Sequence, residues 1–389
     1  MTAESTARVH KLNSQWSGSL YYLVTFLGGG SLMPFLYVYF IDIGLSGQQV
    51  GWLSSLAPVM TLLLSTAVAS FADRKRWRIS ILQVSLLATA VVVFLMRFPT
   101  TFVNIALLMF FYAVFRSPIQ SISTGLIARM AQRHNLNYGS MRLWGSFGYA
   151  VSALGFGALW DIFGLRAIFI SGSLFYLPLV YLARQLEEGP VIPKKERKPI
   201  TDLLRDSGLL LILGATFLAS ISNSLSMTFS GILARWLGAG DFLIGAMIGF
   251  GALAELPFMF FSDRIADRIT KKNTALLSYG LMSIAFLGYV MAKNPVILPF
   301  ISLLKGCGYG LFITVTIRMV TERTPEEWAA TAQSLLTICF FGLASIVAGP
   351  VGGWIHDAIN PGAVFGLGIV SLALAGGVIF LASKLDRIG

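Results

Sequence analysis

Apolar segments about as long as a lipid bilayer is thick recur along the whole chain, and they limit the fold more than any other feature. A membrane-spanning helix needs roughly 20 mostly apolar residues. With 56% hydrophobic and 12% charged residues, the chain also has too few polar side chains to cover a water-soluble globule of 389 residues. The sequence therefore predicts an all-α membrane protein with twelve transmembrane helices, at 18–40, 50–71, 79–96, 102–125, 143–160, 166–183, 208–235, 242–261, 273–291, 295–317, 329–350 and 362–382.

Lysine and arginine are distributed unevenly between the two sides of the predicted membrane. When alternate loops are assigned to one side, 23 of the 29 basic residues fall on that side and 4 on the other. Because cytoplasmic loops carry such an excess, we expect both chain termini to be cytoplasmic. The net charge of +11 is then explained by topology and by anionic lipids at the cytoplasmic face, and it does not indicate a nucleic-acid partner.

The two halves of the chain carry similar short motifs in the same order. GLSGQQVG at 44–51 is echoed by GAGDFLIG at 238–245, and Ala72-Asp73-Arg74 by Ser262-Asp263-Arg264. A charged, proline-containing stretch, VIPKKERKPI, separates the halves and is typical of a solvated linker. We therefore predict two six-helix pseudo-repeats, arranged as a cytoplasmic tail (1–17), an N-terminal bundle (18–184), a cytoplasmic linker (185–207), a C-terminal bundle (208–383) and a second tail (384–389).

Two basic residues, Arg116 and Lys305, lie far inside predicted helices. At a rise of 1.5 Å per residue, Lys305 is about 15 Å from Pro295 and about 20 Å from Arg318, so its amine cannot easily reach water at either end. A charge in mid-membrane on a lipid-facing surface costs at least about 3 kcal/mol. Both side chains are therefore expected to face the protein interior, beside either a buried acid or an anionic substrate.

Glu255 is the one acidic residue placed deep within a predicted helix, and a single carboxylate cannot neutralise two cations. We interpret Arg116 and Lys305 as substrate-binding residues, with an anionic substrate as the missing counter-charge. Two roles stay open for Glu255. It can carry a coupling proton, or it can form a static or gating pair with Arg142 at the cytoplasmic end of the fifth predicted helix, where that helix begins.

Aromatic residues lie on the first, fourth and tenth predicted helices, near the two buried cations. Aromatic rings stack on one another in offset or edge-to-face arrangements. Four of these residues are candidates for contact with a ring in the substrate, although packing is the simpler use of each: Tyr22, Phe26, Tyr112 and Tyr309.

The loop after the second predicted helix reads Ala69-Ser70-Phe71-Ala72-Asp73-Arg74-Lys75-Arg76-Trp77. It resembles the loop signature of the major facilitator superfamily of transporters, Gly-x-x-x-Asp-Arg-x-Gly-Arg. The Asp-Arg core is kept in Asp73 and Arg74, while both glycines are replaced, the second by Arg76. A degraded second copy, SDRIADR, contains Asp263 and Arg264. These four acidic and basic residues are the candidate conformational loop motif.

Two longer motifs, YGSMRLWGSFGY at 138–149 and AELPFMFFSDR at 254–264, resemble one branch of that superfamily. The branch holds the lactose and oligosaccharide proton symporters, the nucleoside-proton symporters and the phenylpropionate permease group. The resemblance covers the whole chain. It implies the major facilitator fold, in which two six-helix halves bracket a central site and move by alternating access.

The resemblance also implies a function. We expect a secondary transporter of a small molecule in the bacterial inner membrane, working as a monomer, with protons as the coupling ion and without a cofactor. Several relatives carry a histidine before a glycine where this chain has Lys305-Gly306. That difference favours a small organic anion such as an aromatic carboxylate. The alternatives are a sugar, oligosaccharide or nucleoside symporter, an efflux antiporter of drugs or metabolites, and a sensor that does not transport.

Motifs of enzymes and metal sites do not stand out in the sequence. There is no Walker-type GxxxxGK[ST] motif for nucleotide hydrolysis. His10, His134 and His356 lie at predicted membrane edges and lack the spacing of metal ligands. We therefore expect neither an enzyme nor a metal site, and an intramembrane transferase is a distant alternative.

Overall fold

The computed structural model describes residues 3–187 and 203–384, and within them all regular elements are helical. Twelve helical segments of these residues are long and apolar enough to cross a membrane, which confirms the predicted number and the all-α fold class. The eleventh crossing segment combines α11, a π-helical turn (Ile338–Leu343) and α12. The helices are α1 (Ala3–Asp42), α2 (Gly47–Lys75), α3 (Arg78–Leu95), α4 (Phe102–Arg133), α5 (Tyr138–Phe163), α6 (Ile168–Ala183), α7 (Ser207–Trp236), α8 (Asp241–Ile269), α9 (Lys271–Met291), α10 (Leu298–Arg323), α11 (Ala329–Thr337), α12 (Ala344–Ala358) and α13 (Ala363–Lys384).

Several helices are longer than the predicted spans. The predicted fourth and eighth spans end at residues 125 and 261, whereas α4 continues to Arg133 and α8 to Ile269. Likewise α1 begins at Ala3, inside the predicted tail. Hydropathy detects only the stretch that suits hydrocarbon, while backbone hydrogen bonding continues into the more polar flanks. Of the predicted linker at 185–207, residues 188–202 lie outside the described part, and so do 385–389 of the second tail.

The first compact unit contains the described parts of Met1–Tyr39 and Val59–Pro193. Its core is a cluster of buried apolar side chains that includes Leu82, Leu126, Met130, Met141 and Leu179. Small residues bring α1 close to α5, because a Cβ atom on Gly30 would overlap the backbone carbonyl oxygen of Tyr149. The glycines at 28–30 therefore serve helix packing.

The second compact unit contains Phe40–Pro58 and the described parts of Lys194–Gly389. It thus includes the end of α1 and the first half of α2 together with α7 to α13. Helix α7 is largely buried and packs against α12 and α13. Helices α8 and α10 pack along much of their length, and α10 also packs on α9. This arrangement places the helix of Glu255 beside the helix of Lys305.

Short polar side chains cap several helices where the chain enters the bundle. The Asn137 side chain accepts a hydrogen bond from the backbone N–H of Ser140 at the start of α5. The Asp206 carboxylate accepts from two N–H groups at the start of α7, and the Thr270 hydroxyl accepts from one at the start of α9. These contacts satisfy N–H groups that have no partner inside the helix and so define where each helix begins.

Candidate functional site

Arg116 on α4 lies among tyrosines in the first unit. Its Nη1 donates to the Tyr176 hydroxyl at 3.4 Å, and its Cζ lies 5.8 Å from the centre of the Tyr112 ring. Tyr37 on α1 also interacts electrostatically with the guanidinium. Within the described part of this unit, no carboxylate lies within ion-pair distance of Arg116. The site therefore offers a cation and phenol hydroxyls to a ligand, without an acid to neutralise the charge.

Arg142 on α5 lies over two of the predicted substrate-binding aromatic residues. Its Cζ is 4.3 Å from the centre of the Phe26 ring and 5.4 Å from that of Tyr22. The Tyr22 hydroxyl is 2.7 Å from the hydroxyl of Tyr138, which begins α5. Cation–π contacts of this kind hold a guanidinium in place while leaving its N–H groups for a polar partner. The predicted pairing of Arg142 with Glu255 joins residues of different units and stays a prediction.

Lys305 on α10 is buried, with 5% of its surface exposed. Its Nζ lies 4.9 Å from the centre of the Tyr309 ring one turn further along the helix. The charged group that acts on the ammonium is Glu255. In the described part of the second unit, no carboxylate oxygen lies within ion-pair distance of Nζ, so the contact with Glu255 is not direct.

Glu255 on α8 is half-buried, and Lys305 is in turn the charged group that acts on it. The two helices touch through their backbones on either side of these residues. A Cβ atom on Gly310 would lie 2.6 Å from the carbonyl oxygen of Glu255, and one on Gly251 would lie 2.5 Å from the Ser302 hydroxyl oxygen. Glycine is needed for this close approach, so the GCGYG stretch at 306–310 positions Lys305 relative to Glu255.

The loop motif between α2 and α3 forms a compact turn despite its missing glycines. Arg78 donates from Nε to the Asp73 carboxylate at 2.5 Å. Arg76, which replaces the second signature glycine, has φ 56°, in the left-handed region that favours glycine. Arg74 is exposed at the end of α2. The turn therefore keeps the backbone conformation of a glycine with an arginine in its place.

The second copy of the motif contributes to a charged network at the ends of α8 and α10. Arg318 pairs with Asp267 at 2.8 Å and with Glu322 at 2.6 Å, and its Nη1 lies 3.5 Å from Asp263. Arg264 lies over the Phe261 ring instead, with 5.6 Å between Cζ and the ring centre. This network lines an open cleft of about 610 Å³. The cleft is lined by neither Lys305 nor Glu255, so it belongs to the helix ends and not to the buried charges.

The structure thus brings the predicted site residues together in three places. Arg116 lies with Tyr112, Arg142 lies with Tyr22 and Phe26, and Lys305 lies with Tyr309 and Glu255. Sequence reasoning missed the other tyrosines around the cations, Tyr37, Tyr138 and Tyr176, and the arginine that organises the charged network, Arg318. The four-residue spacing of Asp263 and Asp267 was a usable signal for the network, because it places both acids on one helix face.

Comparisons with known proteins identify what the chain is similar to. A family model described as the MFS_1 like family matches residues 15–367. Maltose permease of Geobacillus stearothermophilus is 28% identical over 371 residues, covering 95% of this chain and 94% of that protein. A protein of Escherichia coli (strain K12) named as a probable 3-phenylpropionic acid transporter is 23% identical over 267 residues, covering 67% of this chain and 70% of that protein.

A solved structure of a mutant form of the nucleoside transporter NupG matches the chain with a TM-score of 0.83. Sequence identity is 15%, and the match covers 95% of this chain and 99% of that one. At this identity the likeness concerns the fold alone. The three names include a sugar, an aromatic acid and a nucleoside, so they do not by themselves select one substrate class.

Proposed function

The chain belongs to the MFS_1-like family, and on that premise we propose that it is a proton-coupled secondary transporter of a small organic anion, working by alternating access in the bacterial inner membrane. Membership of this family confirms the resemblance seen in the sequence and makes the chain a transporter and not an enzyme. The anionic substrate, the coupling to protons and the location in the bacterial inner membrane are the parts of this statement that we propose.

The buried ammonium of Lys305 is the observation that carries the anion proposal. A charge removed from water is costly unless a partner compensates it, and Lys305 has no carboxylate at contact distance among the described residues of its unit. An anionic substrate group would supply that partner each time the transporter is loaded. Lysine suits the role because its ammonium is a compact charge on a flexible stem that can follow a moving ligand.

The surroundings of Arg116 support the same class of substrate. Guanidinium binds carboxylate with two parallel hydrogen bonds, and the Tyr176 hydroxyl at 3.4 Å can add a third. The nearby rings of Tyr112 and Tyr176 favour an acid that also carries an aromatic group. We therefore propose an aromatic carboxylate as the preferred substrate.

Glu255 is proposed as the proton carrier. The carboxylate of Glu255 and the anion of the substrate would compete for one ammonium, that of Lys305. Binding of the anion and ionisation of Glu255 then oppose each other, so the loaded transporter prefers a protonated Glu255. Such competition couples uptake of one substrate anion to uptake of a proton and requires no other coupling ion.

A neutral sugar or nucleoside is the second candidate substrate, and buried polar groups on α7 favour it. The Ser220 hydroxyl oxygen and the Asn223 amide oxygen are buried, and no hydrogen-bond partner is described for either. Groups of this kind can bind substrate hydroxyls. In this case the buried cations would also donate to hydroxyls, and their charge would matter less than their hydrogen bonds.

A ligand-stabilisation measurement on the purified protein separates the two classes. Binding to the folded state raises the melting temperature, so 3-phenylpropionate, maltose and uridine would be tested against wild type, Lys305→Met and a control, Lys293→Met. Lys293 is exposed just beyond α9 and should not affect binding. We expect the acid to stabilise wild type and the control but not Lys305→Met. Equal stabilisation of all three proteins by maltose or uridine would overturn the anion proposal.

Proton coupling is tested in proteoliposomes. We expect an inward proton gradient to drive accumulation of the stabilising ligand by wild type. Exchange of ligand without any response to the gradient would contradict the role of Glu255 while leaving the transporter itself intact.

A further inference from the structure

The segment of residues 40–58, here called the α1–α2 segment, packs in the second unit although the rest of α1 and α2 belongs to the first. It holds the end of α1, the connecting loop and the first half of α2. Contacts at three places bind it to α7 and α12: one at Arg235, one at Asp357 and one between glycines. At each contact, the segment can separate from the second unit without leaving a buried charge that has lost every partner.

Arg235, at the end of α7, binds two carboxylates in unequal ways. Its Nη2 donates to Asp241 at the start of α8, and its Nη1 donates to the Ala239 carbonyl at 3.0 Å. Its Nε lies 3.3 Å from Asp42 of the α1–α2 segment, but this contact lacks hydrogen-bond geometry. The Asp241 side chain is 8% exposed and the Asp42 side chain 35%. Asp241 is therefore the permanent partner of Arg235, and Asp42 is the partner that can leave.

Asp357, at the end of α12, caps the first turn of α2. Its Oδ1 accepts from the Gly47 N–H at 2.7 Å, and its Oδ2 accepts from the Gln48 N–H at 2.8 Å. A carboxylate at a helix N-terminus is favoured by the helix dipole as well as by these bonds. Asp357 has a second partner of its own, the Nδ1 of His356 at 2.9 Å.

The start of α2 also has a cap that does not depend on α12. The Ser46 hydroxyl accepts from the Gln49 N–H at 3.2 Å, and the Gln49 side chain accepts from the Ser46 N–H at 3.0 Å. This reciprocal pair is a capping box, and it holds the first turn when Asp357 is absent. After separation Asp357 therefore keeps His356 and the first turn of α2 keeps its own cap, while the N–H groups of Gly47 and Gln48 become open to exchange.

Glycines form the surface between α2 and α12. A Cβ atom on Gly51 would overlap the carbonyl oxygen of Gly349, and one on Gly353 would overlap that of Gly47. The four-residue spacing on both helices gives a smooth contact of backbone on backbone. Beside these glycines, the Ser55 hydroxyl of α2 lies 3.4 Å from the Ser345 carbonyl oxygen and 3.3 Å from that of Ile346 on α12. The same hydroxyl lies 3.2 Å from the Gly51 carbonyl oxygen of its own helix, so it keeps a hydrogen-bond acceptor when the two helices separate.

We propose that the α1–α2 segment is a detachable clasp whose charged contacts are shared, so that Arg235 keeps Asp241 and Asp357 keeps His356 when the clasp opens. The proposal rests on the alternating access proposed above, which requires some helix contacts to break and reform. Shared partners make opening inexpensive, because breaking a buried ion pair is costly only where a charge loses every partner.

The proposal predicts opposite effects for the two carboxylates on Arg235. Loss of the leaving partner, Asp42→Asn, should favour opening, while loss of the permanent partner, Asp241→Asn, should make Arg235 depend on Asp42 and favour closure. Hydrogen exchange of peptides covering 44–58, measured by mass spectrometry on the full chain, reports opening through the amides of Gly47 and Gln48. We expect exchange about two- to fivefold faster in Asp42→Asn and slower by a similar factor in Asp241→Asn, as for partly exposed ion pairs.

The contact at Asp357 gives an independent test on a second pair of side chains. Asp357→Asn should speed exchange of the same peptides, and His356→Gln should slow it, because Asp357 then depends on α2 alone. Asp161→Asn, which removes an acid from the end of α5 in the other unit, is the control and should leave exchange unchanged. Melting temperatures identify any variant that fails to fold.

The direction in which each variant changes the hydrogen-exchange rate decides whether the proposal holds. Effects of the same direction within both pairs, or no effect in either, would overturn it. Exchange is measured without any substrate, so a failure to find transport would count against the proposed function and not against the clasp.

Discussion

Gly306 on α10 lies against the backbone carbonyl of Gly251 on α8, so closely that a Cβ atom at residue 306 would overlap the carbonyl oxygen. Lys305 precedes Gly306, and Glu255 lies one turn after Gly251 on the facing helix. The separation of Lys305 and Glu255 is therefore set by backbone contact, which is stiffer than a contact between side chains.

The first prediction concerns this contact. Gly306→Ala should destabilise the protein by about 1–3 kcal/mol, because the added methyl group must push α8 and α10 apart. Gly280→Ala on α9 is the matched control, since nothing lies within 4 Å of the added Cβ. In a helix that change should stabilise by at most about 1 kcal/mol. Thermal unfolding in detergent measures both, and equal melting temperatures for the two variants would contradict the packing argument.

The second prediction concerns the coupling of Lys305 and Glu255. Removing the lysine alone leaves Glu255 without its compensating charge, so Lys305→Met should be less stable than the double variant Lys305→Met/Glu255→Gln by at least about 1 kcal/mol. Glu255→Gln alone should keep ligand exchange between equal pools but lose accumulation driven by a proton gradient. Full accumulation by Glu255→Gln would exclude Glu255 as the proton carrier.

The third prediction concerns Arg116. Arg116→Gln should weaken binding of an organic acid by about 1.5–3 kcal/mol, the range for a hydrogen bond to a charged group, and Arg116→Lys should retain part of the affinity. Tyr176→Phe removes one hydroxyl and should cost about 1 kcal/mol or less. Titration calorimetry on the purified variants gives the affinities. Arg97→Gln, an exposed change just after α3, serves as the control, and an equal loss there would show that the effect is not specific.

The fourth prediction is a pH dependence at Asp206, which lies before the seventh crossing segment. Burial would raise the pKa of its carboxyl, but hydrogen bonds from Arg323 and from the N–H groups of Leu209 and Gly208 outweigh burial and hold the pKa below its ordinary value. A depressed pKa in the folded state means that this stabilisation is present above about pH 4 and is lost as pH falls further.

Asp206→Asn tests that sign. It should lower the melting temperature near neutral pH by an amount typical of a lost ion pair, about 0.2–1 kcal/mol, because the asparagine oxygen can still cap the helix while the charge facing Arg323 is gone. The difference from wild type should shrink as the pH falls below about 4, because the wild-type carboxyl is then protonated. A difference that stays constant or grows on acidification would show that the charge of Asp206 contributes nothing.

The fifth prediction concerns the strained turn of the loop motif. Arg76 has φ 56°, and its side chain is exposed, so Arg76→Gly should remove backbone strain at little cost. We expect stabilisation of about 0.5–1 kcal/mol. Asn135→Gly is a fitting comparison, because Asn135 has φ 55° but asparagine tolerates that region, and its change should be smaller. Destabilisation by Arg76→Gly would mean that the arginine side chain makes a contact worth more than the strain.

The sequence by itself determined that the chain lies in a lipid bilayer, how many helices cross the bilayer, and which charged residues lie inside those helices. Twelve crossing segments follow from apolar length alone, because every backbone polar group in lipid must be bonded within its own helix. Arg116, Glu255 and Lys305 stand out for the same reason, since charges are rare inside such segments. Helix ends were less predictable, as α4 and α8 show, because hydropathy ends with the hydrocarbon while hydrogen bonding continues.

Only the tertiary structure decided which side chains surround those charges. Tyr176 is 60 residues from Arg116 along the chain, and Asp357 is 310 residues from the Gly47 N–H that it caps. The side chains on a helix point in all directions around its axis. A single sequence does not specify which other helix packs against each of these faces. Glycine contacts such as Gly306 with Gly251 settle that question by allowing only one close approach, and the placement of Lys305 beside Glu255 follows from it.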